Sequence, residues 1–343
     1  MGVAISDLIK AEEISLPDLK DLTVAVDASL MLYQFLASIR QRDGTPLRNS
    51  KGQVTSHLTG LFTRTAHLMQ EGIKLVYVFD GIPPVLKEKE QQRRRQAKEE
   101  AQVKYEEAQQ AEDLDGMRKY SARLTRLTPE MVSEAQKLLS AMGVPYVVAP
   151  SEAEAQAAHM VSNGDCYAVA TQDADVFMFG ALRVIRNLSI LGKRRKANTF
   201  SYTSVKPERI TLSGLLNDLG IDRDQFITLC MLVGTDYNTG GIKGIGPKKA
   251  LKLVKRFGSD HESLFTDVKW DEHFSYPWRE VFDTIKDIPV ISDYSIAQKR
   301  LDPEAVEKLL VEGFGFSQER VDNTLRKLED KIGTKSQTSL FDY

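Results

Sequence analysis

The chain has 343 residues, is 42% hydrophobic and carries a formal charge of −2, enough apolar material for one sizeable α/β domain with appendages. That balance excludes a uniformly basic nucleic-acid binder, so any grip on a polyanion must rest on local basic patches. The opening MGVAISDLIK lacks a signal-peptide pattern and no apolar run is long enough to span a bilayer. Cys166 and Cys230 each sit inside an apolar run, as small buried hydrophobes do, which points to an intracellular protein.

Residues 22–27 (LTVAVD) form a short apolar run ending in Asp27. Residues 74–80 (KLVYVFD) repeat the pattern, end in Asp80 and lead into the turn Gly81-Ile82-Pro83-Pro84. Further on, residues 166–171 (CYAVAT) make a third run, followed by Gln172-Asp173-Ala174-Asp175. Near-continuous apolar runs separated by helical stretches predict a parallel sheet covered on both faces. In such folds the working residues gather beyond the carboxyl ends of the strands. One Asp after a strand is most simply a turn former. Three of them predict a shared site.

Between the second and third runs the composition changes. Residues 87–126 are charged with almost no apolar periodicity, and read as helix interrupted near Asp115-Gly116. A helix that is polar all round has no core to lie against. It is either a solvated surface helix or a mobile arch that orders on a polyanion. Lys87 and Arg94 lie seven residues apart, so they share one helical face soon after Asp80. Next, Pro150-Ser151-Glu152-Ala153-Glu154 opens a helix. Ser151 with Glu154 matches a capping box, while Glu152 and Glu154 fall on different faces. Both could reach one ion cluster only if it lies over the helix end.

Residues 226–233 (FITLCMLV) predict a buried helix leading to Gly234-Thr235-Asp236. The following G-I-G-P-K-K-A, residues 244–250, is a helix–hairpin–helix signature. Its glycines let backbone approach a phosphate, Pro247 starts the next helix, and that helix offers free N–H groups beside lysines. At the end, Gln337, Leu340, Phe341 and Tyr343 have the spacing of a peptide that docks in the pocket of a sliding clamp. The usual pattern has a second aromatic directly after the first, which predicts reduced affinity unless Phe341 compensates.

Seven acidic residues, Asp27, Asp80, Glu152, Glu154, Asp173, Asp175 and Asp236, thus fall at the ends of predicted strands or helices. Carboxylates that converge without basic partners repel one another unless divalent ions neutralise them. The pattern predicts a metal-dependent enzyme acting on phosphates.

The segments VAVDASLMLYQFL, VYVFDGIPPVLK, PSEAEAQAA, TQDADVFMFG and LVGTDYNTGGIKGIGPKKAL, with MGV at the start, resemble in order the flap endonuclease branch of the XPG-type structure-specific nucleases. The resemblance covers nearly the whole chain and is similar to archaeal members. It implies an α/β fold: a PIN-like, mostly parallel sheet flanked by helices, with a helical arch and a helix–hairpin–helix DNA-binding element. The implied division is a nuclease core over 1–85 and 128–258, an arch over 86–127, a helical region over 259–330 and a clamp-binding tail over 331–343.

By the same resemblance, Asp27, Asp80, Glu152 and Glu154 would form one metal cluster, and Asp173, Asp175 and Asp236 a second. Two Mg²⁺ ions, with Mn²⁺ able to substitute, would serve hydrolysis of a phosphodiester near the junction of a 5′ flap. Lys87 and Arg94 match arch cations that contact the scissile phosphate, and Tyr33 an aromatic that stacks near the reacting nucleotide. Gly2 matches an N-terminal residue near the site, a better account of that glycine than myristoylation. Arg40, Gly234, Glu152 and Asp236 join the implied DNA-facing set. Gly244, Gly246, Lys248 and Lys249 match the hairpin that grips downstream duplex, with K⁺ held by backbone carbonyls. A clamp-adaptor protein with a decayed site is the rival from another class. Within enzymes the rivals are a processive exonuclease, a bubble or junction nuclease and a PIN-type ribonuclease. The modest charged spacer favours a threading arch.

Overall fold

A computed structural model describes residues 3–41, 43–188, 193–195 and 202–338. Its strands are β1 (Glu12–Glu13), β2 (Thr23–Asp27), β3 (Lys74–Phe79), β4 (Tyr146–Val148), β5 (Ala168–Ala170), β6 (Arg183–Arg186), β7 (Lys193–Arg195), β8 (Tyr202–Ser204) and β9 (Glu208–Thr211). Among the described residues seven of these form one sheet in the order β1-β9-β6-β5-β2-β3-β4, while β7 pairs only with β8. The inner pairings, β2 with β3 and β5, β3 with β4, and β5 with β6, are parallel. The antiparallel pairs lie at one edge, where β9 joins β6 and β1. The mostly parallel sheet expected from the three apolar runs is therefore present, with the third run shortened to three strand residues.

The helices are α1 (Ala28–Ser38), α2 (Ser56–Gln70), α3 (Glu88–Gln110), α4 (Leu114–Arg123), α5 (Pro129–Ala141), α6 (Ala153–Ser162), α7 (Leu212–Leu219), α8 (Arg223–Val233), α9 (Pro247–Phe257), α10 (His261–Asp267), α11 (Trp270–His273), α12 (Trp278–Lys286), α13 (Pro303–Glu307) and α14 (Gln318–Thr338). Strand side chains alternate between two cores, as the period of two demands. Ala25, Val76, Val78, Val169 and Val184 pack into a core shared with α6, α8 and α9. Val24, Val26, Leu75, Tyr77, Ala168 and Ile185 face the opposite core, shared with α1, α2, α5 and α14. Covering both faces is what lets these strands be apolar at nearly every position. Each fully buried aliphatic side chain contributes about 1.5–3 kcal/mol relative to exposure. Cys166 and Cys230 are buried free thiols in the first of these cores.

The charged segment departs from expectation in two ways. Its break falls at residues 111–113, and not at Asp115-Gly116. Glu112 takes the left-handed conformation, φ +54°. Asp113 then caps α4 by accepting from the N–H groups of Asp115 and Gly116 at 3.1 and 3.0 Å, so those two residues begin a helix and do not end one. Second, α3 and α4 pack against each other as a hairpin, with Ala101 and Ala108 of α3 buried. Small residues seven apart give α3 a narrow apolar seam that charge counting hides. Gly116 keeps the seam close, since a Cβ there would sit 3.0 Å from the Ala108 methyl.

The α1–α2 contact is equally tight. A Cβ on Gly60 would lie 2.2–2.6 Å from the ring atoms of Phe35. Gly60→Ala should therefore lower stability by about 1–3 kcal/mol through overpacking, read as a lower midpoint in denaturant. An unchanged midpoint would mean that α1 and α2 are free to separate.

Candidate active site

The parallel strands end together, and the acidic residues follow from that. Asp27 is the last residue of β2 and the N-cap of α1, accepting from the Leu30 N–H at 2.9 Å. Asp80 comes directly after β3, and its Oδ1 accepts from the Ala153 N–H at 2.9 Å. Asp80 thus supplies from another element the cap that the start of α6 lacks. Ser151 plays no capping part, because Glu152 is the N-cap and its side chain makes no cap bond. The capping-box reading of Ser151 and Glu154 is overturned. Glu154 instead accepts from the Thr171 hydroxyl at 2.9 Å. Beyond β5, the Asp173 N–H donates to the same hydroxyl at 3.2 Å, and Asp175 accepts from the Val3 N–H at 2.6 Å. The start of the described chain therefore reaches the site, although Gly2 itself lies outside the described residues.

The crowding raises the proton affinity of the carboxyls. Burial, then repulsion from Asp80, pushes Asp27 up to about 8, against the Leu30 N–H that pulls it down. Asp175 rises to about 7, from burial first and the Asp173 and Asp236 charges after it. Glu154 goes up from burial and from Asp27, Asp173 and Asp175. The mutual effects tie the seven positions into one electrostatic unit.

Two cations reach in from the base of α3. Lys87 Nζ donates to Glu152 Oε2 at 2.5 Å and lies 3.5 Å from Asp236 Oδ2. Arg94 Nη2 donates to the same Asp236 oxygen at 2.7 Å. Burial disfavours charge on Lys87, but Glu152 and Asp236 outweigh it and raise its pKa. Glu152 still titrates above the usual range, because its burial exceeds the pull of Lys87. The Lys87 ammonium also sits 5.1 Å from the centre of the Tyr237 ring, whose hydroxyl is buried without a partner among the described residues. Asp80, Lys87, Glu90, Arg94, Glu152 and Asp236 line a cleft of about 290 Å³.

Asp236 is held by a knot in the loop after α8. Thr235 Oγ1 donates to Asn238 Oδ1 at 2.7 Å, and Asn238 Nδ2 donates to the Met231 carbonyl at 2.7 Å. Gly234 takes φ +110°, and a Cβ on it would sit 2.6 Å from the Gly241 nitrogen. Its role here is close backbone approach. Gly244, φ +80°, and Gly246 lie where a Cβ would meet nothing, so the backbone leading into α9 is open. Lys248 and Lys249 are exposed on the first turn of α9 behind Pro247. The glycine turn and the Pro-started helix expected here are both present.

Tyr33 is 39% exposed on α1, with Lys98 Nζ 5.9 Å from its ring centre. Burial, then the charges of Arg126 and Arg94, lowers the pKa of Lys98. Arg40 is half-buried just beyond α1. Its guanidinium donates to the carbonyls of Ala37 and Gly44 at 3.0 and 2.6 Å, to Ser121 at 2.6 Å and to Thr125, tying α1 to α4. Gln337 falls in the last turn of α14, while Leu340, Phe341 and Tyr343 lie outside the described residues.

The donor set is all oxygen, which suits a hard divalent cation that keeps part of its water. Among the described residues no three His, Cys, Asp or Glu side chains are close enough together to form a ready coordination shell.

The XPG N-terminal domain matches residues 1–101, and the XPG I-region residues 143–236. Flap endonuclease 1 of Pyrococcus abyssi is 48% identical over 340 residues, covering 99% of this chain and 97% of that protein. The chain belongs to the flap endonuclease 1 family. The enzyme is a structure-specific DNA endonuclease, and its nuclease family is generally dependent on divalent metal. The fold agrees: flap endonuclease-1 from Methanococcus jannaschii superimposes with a TM-score of 0.76 at 43% identity, covering 97% of this chain and 100% of that one. The catalytic core of Rad2 in complex with DNA substrate gives 0.68 at 28% identity, covering 93% and 96%.

Sequence reasoning missed several residues of this site. Thr171 bridges Glu154 and Asp173, yet a Thr at a strand end carries no signal of its own. Asn238 and Lys98 are equally silent. Glu90 had one available signal, its i,i+3 and i,i+4 spacing to Arg93 and Arg94. Thr171→Val keeps the shape and removes both hydrogen bonds. It should slow single-turnover cleavage by about tenfold or more, since bonds to charged groups contribute about 1.5–3 kcal/mol. Normal cleavage would remove Thr171 from the working geometry.

Proposed function

We propose that the enzyme cuts the phosphodiester at the base of a 5′ flap, with Lys87 and Arg94 as the groups that touch the reacting phosphate. The observation that carries this reading is the approach of both cations, from the base of the α3–α4 hairpin, to Glu152 and Asp236 at the ends of two other helices. A phosphate entering the cleft would draw these cations from carboxylate to phosphate oxygen. There they would stabilise charge that grows in the transition state, an effect typically worth about 3–4 kcal/mol per donor. Asp27, Asp80, Glu152 and Glu154 on one side, and Asp173, Asp175 and Asp236 on the other, would hold two Mg²⁺ ions, with Mn²⁺ able to substitute. Those ions would supply water activation and neutralisation of the phosphate.

Duplex would lie along the open backbone at Gly244 and Gly246, with Lys248 and Lys249 adding charge and K⁺ held by carbonyls of that loop. Support for DNA as the partner comes from the Rad2 core, which is described in complex with DNA substrate. Tyr33, with Lys98 beside it, would stack on an unpaired base. The α3–α4 hairpin would act as the arch that admits a free 5′ strand. Shape and strand ends would set specificity, since no base-reading element is evident among the described residues. Gln337, Leu340, Phe341 and Tyr343 would dock a monomeric enzyme on a sliding clamp in replication and repair inside the cell. A non-catalytic clamp adaptor is not favoured, because all seven acidic positions are filled.

Cleavage mapping on a double-flap DNA and a matched blunt duplex, with Mg²⁺ and with EDTA, tests the reading beside Asp173→Asn. One Mg²⁺-dependent cut near the flap base, lost in the variant while DNA binding survives, is the expected result. Laddered cuts on the duplex would replace it with an exonuclease, and a fully active variant would remove Asp173 from the metal site.

A further inference from the structure

Glu90 is an anomaly in the charged hairpin. Its neighbours on α3 are solvated, yet its own side chain is only 3% exposed. Every hydrogen bond it accepts comes from a group near the cleft. Arg93 Nε and Nη2 donate to its two oxygens at 2.7 Å each, a bidentate pair. Arg94 Nε donates to Oε1 at 2.7 Å. Thr239, on the loop that carries Asp236, donates to Oε2 at 3.1 Å. Arg93 and Arg94 themselves are 51% and 43% exposed, so without Glu90 Arg93 would lose its bidentate pair and Arg94 would be held by Asp236 alone.

The consequence is directional. A guanidinium is a planar fork, and fixing Nε fixes the plane in which the Nη groups point. With Arg94 Nε on Glu90, its Nη2 is aimed at Asp236. The bond from Thr239 then ties the first turn of α3 to the loop 234–246. We infer that Glu90 is a positioning residue that aims the Arg94 guanidinium at the reacting phosphate and locks the base of the α3–α4 hairpin to the loop preceding α9. Duplex held at that loop and the cation on the phosphate thereby move as one body. This rests on the proposed role of Arg94, and the two can fail separately.

The test is a double-mutant cycle on the full chain, in single-turnover cleavage of a 5′-flap DNA with Mg²⁺, with substrate affinity measured in parallel. Glu90→Gln preserves size and should slow cleavage roughly tenfold, the scale of a misaligned catalytic group, with affinity within about twofold. Glu90→Asp should lie between Glu90→Gln and the parent. Combined with Arg94→Ala, Glu90→Gln should add no more than the few-fold loss seen in Thr239→Val, because the rest of its effect runs through Arg94. Thr239→Val removes only the tie to the loop and should slow cleavage by a few-fold, with Thr239→Ser restoring it. Multiplying effects of Glu90→Gln and Arg94→Ala would overturn the inference. So would a loss confined to affinity, or a normal rate in Glu90→Gln. A normal rate in Arg94→Ala would overturn the parent assignment and this inference with it. A slow Arg94→Ala beside an unaffected Glu90→Gln would overturn the role of Glu90 alone.

Discussion

Like charges held close, in a half-dry place, govern the architecture of this enzyme. At an effective dielectric near 20, two unit charges about 4 Å apart repel by about 4 kcal/mol. Seven carboxylates on five elements cannot be assembled without some answer to that repulsion. The fold supplies partial answers from its own backbone. The Leu30, Ala153 and Val3 N–H groups each donate to one of the acids. The first two are available because strands end and helices begin at the same edge of the sheet, and the third comes from the start of the described chain. The parallel topology thus creates the crowding and relieves some of it.

The remaining negative charge draws in the base of the α3–α4 hairpin. Lys87 and Arg94 lie two turns apart and both reach the same Asp236 oxygen, so the pairing that neutralises the acids also holds two cations at the cleft. The hairpin needs little core of its own, since Ala101, Ala108 and Gly116 zip it and Arg40 pins it to α1. A segment held at its base by charge and along its length by a narrow seam is suited to rearrange when a polyanion competes for its cations.

Much of this was legible in the sequence because it follows from periodicity and from Asp at strand ends. The runs 22–27 and 74–80 map almost residue for residue onto β2 and β3, since buried parallel strands must be apolar throughout. The hairpin loop before α9 was legible through its glycines and Pro247. What stayed hidden depends on long-range contact. Asp80 caps α6 across 73 positions of sequence, so the local Ser151–Glu154 pattern pointed to the wrong cap. Thr171 reaches Glu154 across 17 positions, while Asn238 closes a local knot with Thr235 and Met231 that its residue type does not announce. Arg40 joined the implied DNA-facing set by resemblance, and only the folded chain shows its four internal acceptors.

If repulsion among the carboxylates is the constraint that matters, stability and activity must pull in opposite directions at the site. Denaturation midpoints of the parent enzyme and Glu154→Gln, each in EDTA and in saturating Mg²⁺, measure this directly. Gln keeps an oxygen to accept from Thr171 while removing one charge. In EDTA the variant should be at least as stable as the parent. Mg²⁺ at about 100 times its dissociation constant should stabilise the parent by about 2.7 kcal/mol, with most of that response lost in the variant. A variant less stable than the parent in EDTA that keeps the full Mg²⁺ response would contradict the account.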